Sequence, residues 1–587
     1  MAKQTNFSVR RTRWMNRFHA RRSARARAAT GFTSQPEPRT IGSFARGRQL
    51  LAGNYQFAGY LITDNKTGLW DLTLPSQAFG EELHGFRWLD DLAAVGDIPA
   101  RKTAQSWVFE WIKRYGRGQG IGWTPDLTGR RLIRWINHAL FILNGQDSAA
   151  SGLYFQSLAQ QTIFLSKRWK VASPGLPRFE ALTGLIYAGL ALSGMDEHVK
   201  PALKALAKEC REQIDDEGGI PTRNPEELLE VFTLLIWAAA ALSEAGWVTQ
   251  KDHLAAIERI APTLRALRHS DGGLARFHGG GRGAEGWLDH ALAASGVRST
   301  REKGLSMGYV RLKAGRTSVV VDASRPPQKA NSAHGHASTL AFELTSGRRP
   351  LIVNCGAGIS FGADWQRAGR ATPLHSVLGI EGYSSSRLGK GASGPQELLA
   401  YTPKSVDVKQ SFDRGGSRLE AGHDGYEASH GLIQMRRLDL SFDGRMLAGE
   451  DTLMAITDAD KRRFDDAMNV VNLQGIPFSV RFHLHPDVIA AVDMGGTAVS
   501  LALKSGEVWV FRHDGKARLS LKPSVYLEKN RLKPRATKQI VLTSRAIGYE
   551  SRVHWTLAKA QDTPDSLRDL VRDDIDILQT APNGETE

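Results

Sequence analysis

Cysteine is almost missing from the 587-residue chain, which holds only Cys210 and Cys355. Two thiols in regions that read as different domains exclude a disulfide framework. Long apolar runs are missing as well: nothing approaches the roughly 18 residues that a membrane-crossing helix needs. There is no Walker-type loop, no dinucleotide fingerprint and no zinc-finger spacing, so nucleotide chemistry and sequence-specific nucleic-acid binding have no motif behind them. Acidic residues are missing from positions 1–30, where nine Lys and Arg fall. That stretch carries more than half of the net charge of +16. It reads as a disordered basic arm over residues 1–45, open to solvent, a nucleic acid or a membrane surface. No apolar segment of about 7–15 residues follows the basic start, so no secretory signal is read and the sequence alone points to the cytoplasm.

What is present is ordinary in amount, with 41% apolar and 24% charged residues. A chain of this length exceeds one ordinary core, and two large domains are predicted. Over residues 46–298 apolar side chains recur at helical spacing. Helices are predicted near Arg130–Leu143, Tyr154–Trp169, Phe179–Leu192, Val199–Ile214, Pro225–Ala245 and Asp252–Leu267. Asn224 is the expected N-cap before Pro225. Helices paired through short turns build bundles or toroids. Residues 299–560 instead show short runs rich in Val, Ile, Phe and Leu, broken by turn signals such as Asp443-Gly444 and Asp514-Gly515. With no helix-length pattern between them, these predict antiparallel sheets packed as a sandwich. The fold class is thus a multidomain α+β chain, an (α/α) toroid followed by an antiparallel β-sandwich. An acidic tail, residues 561–587, closes the chain with a short amphipathic helix through Leu567, Leu570, Val571, Ile575 and Leu578.

The densest polar cluster lies in the sheet half. His334-Gly335-His336 precedes the run Leu340–Leu344, and Asn354-Cys355-Gly356 follows the next one. Arg367, Arg370, Thr372, His375 and Ser376 then crowd a loop. Histidines at i and i+2 on a strand share a face. They can share a metal or divide roles, one as ligand and one as base, and a third histidine from a nearby segment completes imidazole–metal reach.

The same motifs in the same order resemble the C-terminal domain of the heparinase II/III-like polysaccharide lyases. The pattern is H-x-H, an apolar strand, a D/N-x-G turn and R-x-T-x-x-H-[NS]. It is followed by His423-Asp424-Gly425-Tyr426, Arg436-Arg437 and Phe482-His483-Leu484-His485-Pro486. The resemblance implies β-elimination on a uronic-acid polysaccharide or oligosaccharide in a cleft between toroid and sandwich, and a place in the cell envelope or periplasm. Elimination needs a base near C5, a group that neutralises the adjacent carboxylate, and an acid for the leaving oxygen. The resemblance places His334 in a catalytic role; Tyr426 and His423 are the further catalytic candidates, and Arg178, Arg223, Asn224 and Arg370 are the candidates to hold the substrate. It also implies a structural zinc held by His336, Asn354 and His375, although Asn354 stands where the family has Asp and an amide is the poorer ligand.

The helical half departs from the pattern. The Asn-His pair and the Tyr that active members carry are replaced around Arg178, Glu180, Arg223, Asn224 and Glu227. Two further readings follow: a non-catalytic glycan-binding or scaffold relative, and a glycoside hydrolase using Glu180 and Glu227, which would need facing carboxylates about 5–9.5 Å apart. The tryptophans 107, 111, 123 and 135 recur at helical spacing and read as core rather than as sugar platforms.

Overall fold

Between Pro125 and Leu267 the chain forms helices Pro125–Asn137, Ser148–Arg168, Leu176–Ala191, Val199–Gln213, Pro225–Glu244 and Lys251–Leu267. They were obtained from a computed structural model, which describes residues 2–25, 29–34, 37–301, 304–390, 397–529, 531–560 and Asp569. Helix Leu176–Ala191 is the hub of the toroid: every residue from Phe179 to Ala191 is buried, as an all-round apolar helix requires. It approaches helix Pro125–Asn137 so closely that a Cβ on Gly184 would lie 2.4 Å from the Cα of Gly129. The predicted helix 130–143 is broken at His138, whose Nε2 meets Asp90 at 2.9 Å, and residues 139–143 form a separate turn of helix. Trp111 and Trp135 are fully buried in an aromatic core with Trp123 and Trp107.

Much of the described part of the basic arm is ordered, against the expectation of a disordered arm. Residues Ala2–Ser23 form a helix that buries Asn16, Ala20 and Ser23 and leaves Trp14 63% exposed. Arg168 donates to Asn16 Oδ1 at 2.8 Å, and Gln160 donates to the Ala20 carbonyl at 2.9 Å. The docking face is narrow, made of small and neutral side chains. A charge count that sees only arginines misses it. The segment after it is pinned too, through Thr33 N–H to the Ala191 carbonyl.

Two eight-stranded sheets dominate the second half, beside a two-stranded one of Arg387–Lys390 and Glu397–Tyr401. One orders its strands from edge to edge as Arg518–Tyr526, Arg535–Ala546, Ile476–Leu484, Arg349–Val353, Phe342–Ser346, Thr317–Asp322 and Tyr309–Ala314, with Leu378–Ile380 beside Ile476–Leu484. The other runs Val406–Asp413, Gly416–Tyr426, Leu432–Ser441, Met446–Met454, Glu550–Lys559, Val508–His513, Ala498–Ala502 and Ile489–Asp493. Among the described residues every strand pairing is antiparallel, as expected for strands joined without crossover helices. The inner faces meet through Phe342 stacked on Trp555 at 5.9 Å and Phe482 edge-on to it at 4.7 Å. Buried Arg436 joins the sheets: it pairs with Asp451 and donates to the Leu340 and Ser376 carbonyls.

The last toroid helix ends at Ala294 and the first sandwich strand begins at Tyr309, which brackets the expected change of class. The predicted helix from Leu567 to Leu578 lies outside the described residues. Asp569 alone is described there, paired with Arg349 at 2.7 Å.

Candidate functional site

Toroid and sandwich are joined by two buried ion pairs. Helix Pro225–Glu244 starts at the Asn224 cap, whose Oδ1 accepts from the N–H groups of Glu226 and Glu227. Just before it Arg223 adopts φ +51 and sends its guanidinium into the sheet half. Nε donates to Met307 O, Nη1 to Ser324 O and Arg325 O, and Nη2 to Gly308 O and Asp322 Oδ1. A guanidinium has five N–H groups, and all five are committed. The second pair is Arg276 with Glu343 at 3.0 Å, with Arg276 also lying over the Tyr526 ring. Burial opposes charge on both carboxylates, yet Arg223 holds Asp322, and Arg276 holds Glu343, at about 2.

Between these bolts lies a cavity of about 190 Å³. Its toroid wall is Leu176, Asn224, Glu226, Glu227, Glu230 and Gly279; its sandwich wall includes His334, His336, Ile359, Gln366, Arg370 and Lys529. Three carboxylates therefore face two cations. Lys529 is paired with Glu226. Arg370 donates to the carbonyls of Gly335, Glu397 and Ser332 at 2.8–2.9 Å, which leaves two N–H groups uncommitted to those bonds. Burial, reinforced by Glu230, lifts Glu227 to about 7.

The H-x-H does not sit on a strand. His334 ends a 3-10 turn spanning Lys329–His334, and Gly335 caps it. His334 opens its ring to the cavity while His336 is buried behind it. The surrounding protein, then Arg370 and Lys529, lower the His334 pKa below the ordinary histidine value. His336 meets His375 with Nδ1 and Nε2 3.1 Å apart. All three imidazoles thus gather at the seam, by way of turns rather than of strand alternation.

Other expected site residues lie elsewhere. Tyr426 and His423 are buried in the sandwich with rings 5.8 Å apart, and neither lines the cavity. A register shift between His423 and Tyr426 turns the strand end inward, and the Tyr426 hydroxyl lies by Ile380 and Thr372. Burial lowers His423 to about 4 and raises Tyr426. Arg178 pairs with Glu209 at 3.1 Å and donates to the Ala172 carbonyl within the toroid. Arg223 is a seam bolt rather than a substrate arginine. Glu180 is bound by Arg130 and does not share the cavity with Glu227. Sequence reasoning missed Glu226, Glu230 and Lys529. Helical spacing from the Asn224 cap signals the two glutamates, whereas nothing local signals a lysine 303 residues from its partner.

A family model described as heparinase II/III-like, C-terminal, matches residues 297–556. FtsZ-localized protein C of Caulobacter vibrioides is 30% identical over 543 residues, covering 90% of this chain and 91% of the relative. The chain belongs to the heparinase II/III-like family. Solved structures agree on the fold. Heparinase III aligns with a TM-score of 0.68 at 12% identity, over 93% of this chain and 89% of that one. A heparan sulfate lyase HepC mutant from Pedobacter heparinus aligns at 0.58 and 14%, over 95% and 90%.

The heparinase-like resemblance implied zinc on His336, Asn354 and His375, and the residues do not fit it. Asn354 Oδ1 already accepts from the Ser376 N–H at 3.0 Å. Cys355 faces away, its thiol 3.3 Å from His483 Nδ1 and pushed up by burial to about 12. Among the described residues no three His, Cys, Asp or Glu are grouped to hold a metal. His483 itself makes structural hydrogen bonds, to Ser524 and to the Pro373 carbonyl.

Proposed function

We propose that this heparinase-fold chain is an FtsZ-associated scaffold that keeps a glycan-sized cleft without uronate elimination. The observation that carries the reading is the make-up of the cavity. Elimination requires cations free to neutralise the carboxylate beside C5. Arg223 has no donor left, Arg178 is elsewhere and Lys529 is paired with Glu226. Against Glu226, Glu227 and Glu230 of the toroid wall the cavity sets Arg370, three of whose five N–H groups already bind carbonyls. A uronate entering there meets like charge. The relative that spans nearly the whole chain carries a name built on FtsZ and not on a reaction.

The test incubates the purified full chain with a panel of uronic-acid polymers and, separately, sediments it with FtsZ polymers. The expected result is no near-ultraviolet absorbance from unsaturated uronate, together with co-sedimentation. Unsaturated product that disappears in His334→Ala would overturn the reading.

One observation favours a second reading. His334 opens into the same cavity as Glu227, a carboxyl lifted to about 7, which places a base and an acid around one small space. Such a pair suits a neutral or amino sugar. It would release reducing ends, and Glu227→Gln would abolish them.

A further inference from the structure

We infer that His336 and His375 form a metal-free imidazole chain that clasps the toroid loop around Gly279 to the sandwich, in place of the zinc centre the family resemblance implies. The argument rests on which atoms can only donate and which can only accept. His375 Nδ1 lies 2.9 Å from the Ala371 carbonyl. A carbonyl only accepts, so Nδ1 carries the proton and Nε2 presents a lone pair. At the other end, the Gly279 backbone N–H lies 3.1 Å from His336 Nε2. A backbone N–H only donates, so that nitrogen is the bare one and the neutral ring carries its proton on Nδ1. That proton points at the bare Nε2 of His375, 3.1 Å away. Each ring nitrogen has its complementary partner, and the tautomer of each ring follows from its neighbours.

A metal at this pair needs lone pairs on both His336 Nδ1 and His375 Nε2. His336 would then carry its proton on Nε2, directed at the Gly279 N–H, and two donors would face each other in a buried place. The clasp has a structural consequence at the cavity. Gly279 sits at φ +87, and a Cβ there would lie 2.8 Å from that of His334, so the loop forms the cavity wall beside His334. The backbone N–H of His336 also donates to His278 Nδ1 on that loop, at 3.1 Å. The imidazole chain therefore positions the wall without a metal's help.

The experiment measures zinc in the full chain purified with zinc present and without chelator, and follows thermal unfolding with added zinc and with a strong chelator. Less than about one-tenth zinc per chain is expected, and neither addition should raise or lower the unfolding temperature by more than a degree. His336→Gln, whose amide oxygen can still accept from Gly279, should unfold closer to the parent than His336→Ala does. Stoichiometric zinc that is lost in His375→Ala, or a fall of several degrees on chelation, would overturn the inference. The metal analysis of the unmodified chain decides this even if the alanine variants fail to fold.

Discussion

The two walls of the cavity differ in charge and in how closely their residues follow the family's motifs. The sandwich wall retains the ordered series of motifs that identifies the family, with His334, His336, Arg370 and His375 gathered at the seam. The toroid wall has kept the helix start and its Asn224 cap while presenting glutamates to the cavity. The difference is one of charge within a single cleft: histidines, Arg370 and Lys529 on the sandwich side, carboxylates on the toroid side. Backbone carbonyls and buried carboxylates hold the frame, and exposed helix positions are free to change the chemistry.

The sharpest way to break the comparison is to remove what joins the walls. Arg223→Ala strips Asp322 of its guanidinium inside the protein, and unpairing a buried ion of this kind costs about 3–5 kcal/mol. Denaturant unfolding should show that loss. Equal stability would mean that the Arg223–Asp322 pair adds nothing net to the hold between the two halves.

Acid tests the same seam without mutation. Asp322 and Glu343 are held at about 2, below their unfolded values. Their contribution is whole above the unfolded carboxylate range and is lost as pH falls toward 2, roughly 2–3 kcal/mol for each. Buried His375 and His423 lie at about 4. The unfolded chain takes up their protons first, so stability begins to decline below about pH 6.5. A urea midpoint that falls in two stages, between pH 6.5 and 4 and again below 4, is expected. A midpoint flat down to pH 4 would contradict the neutral buried imidazoles.

Glu227→Gln sharpens the contrast between walls. The Glu227 pKa is raised, so the carboxylate disfavours the folded state above its unfolded value, most fully above about pH 7. The amide removes that charge. After discounting for its partial exposure, a gain on the order of 1 kcal/mol at pH 8.5 and none at pH 4.5 is expected from paired melts. A variant destabilised at both pH values would show that the carboxylate has a structural partner. The smallest effect belongs to the cap: Asn224→Ala should cost about 1 kcal/mol, read as a lower melting temperature with the cavity unchanged.

Much of this was legible in the residues. Six predicted toroid helices overlap observed ones, with ends up to six residues off and the first broken at His138. Apolar periodicity and the Asn224-Pro225 start are local signals, while most helix ends are not. The sandwich strands were read from alternation, while edge strands such as Val406–Asp413, half-buried and polar, gave no such pattern. Charge says nothing of the narrow face formed by Asn16, Ala20 and Ser23, so a count of arginines does not reveal that the helix Ala2–Ser23 docks.

Periodicity and alternation determined the two-part architecture, and the ordered motifs that hold His334, His336 and His375 carried the resemblance to the family. Only the tertiary structure decided what the polar residues do. An arginine has the same sequence signature whether it meets a substrate or five protein acceptors, and the partners of Arg223 lie 84–102 positions away. Partnership of that range is set by packing, which no local pattern encodes.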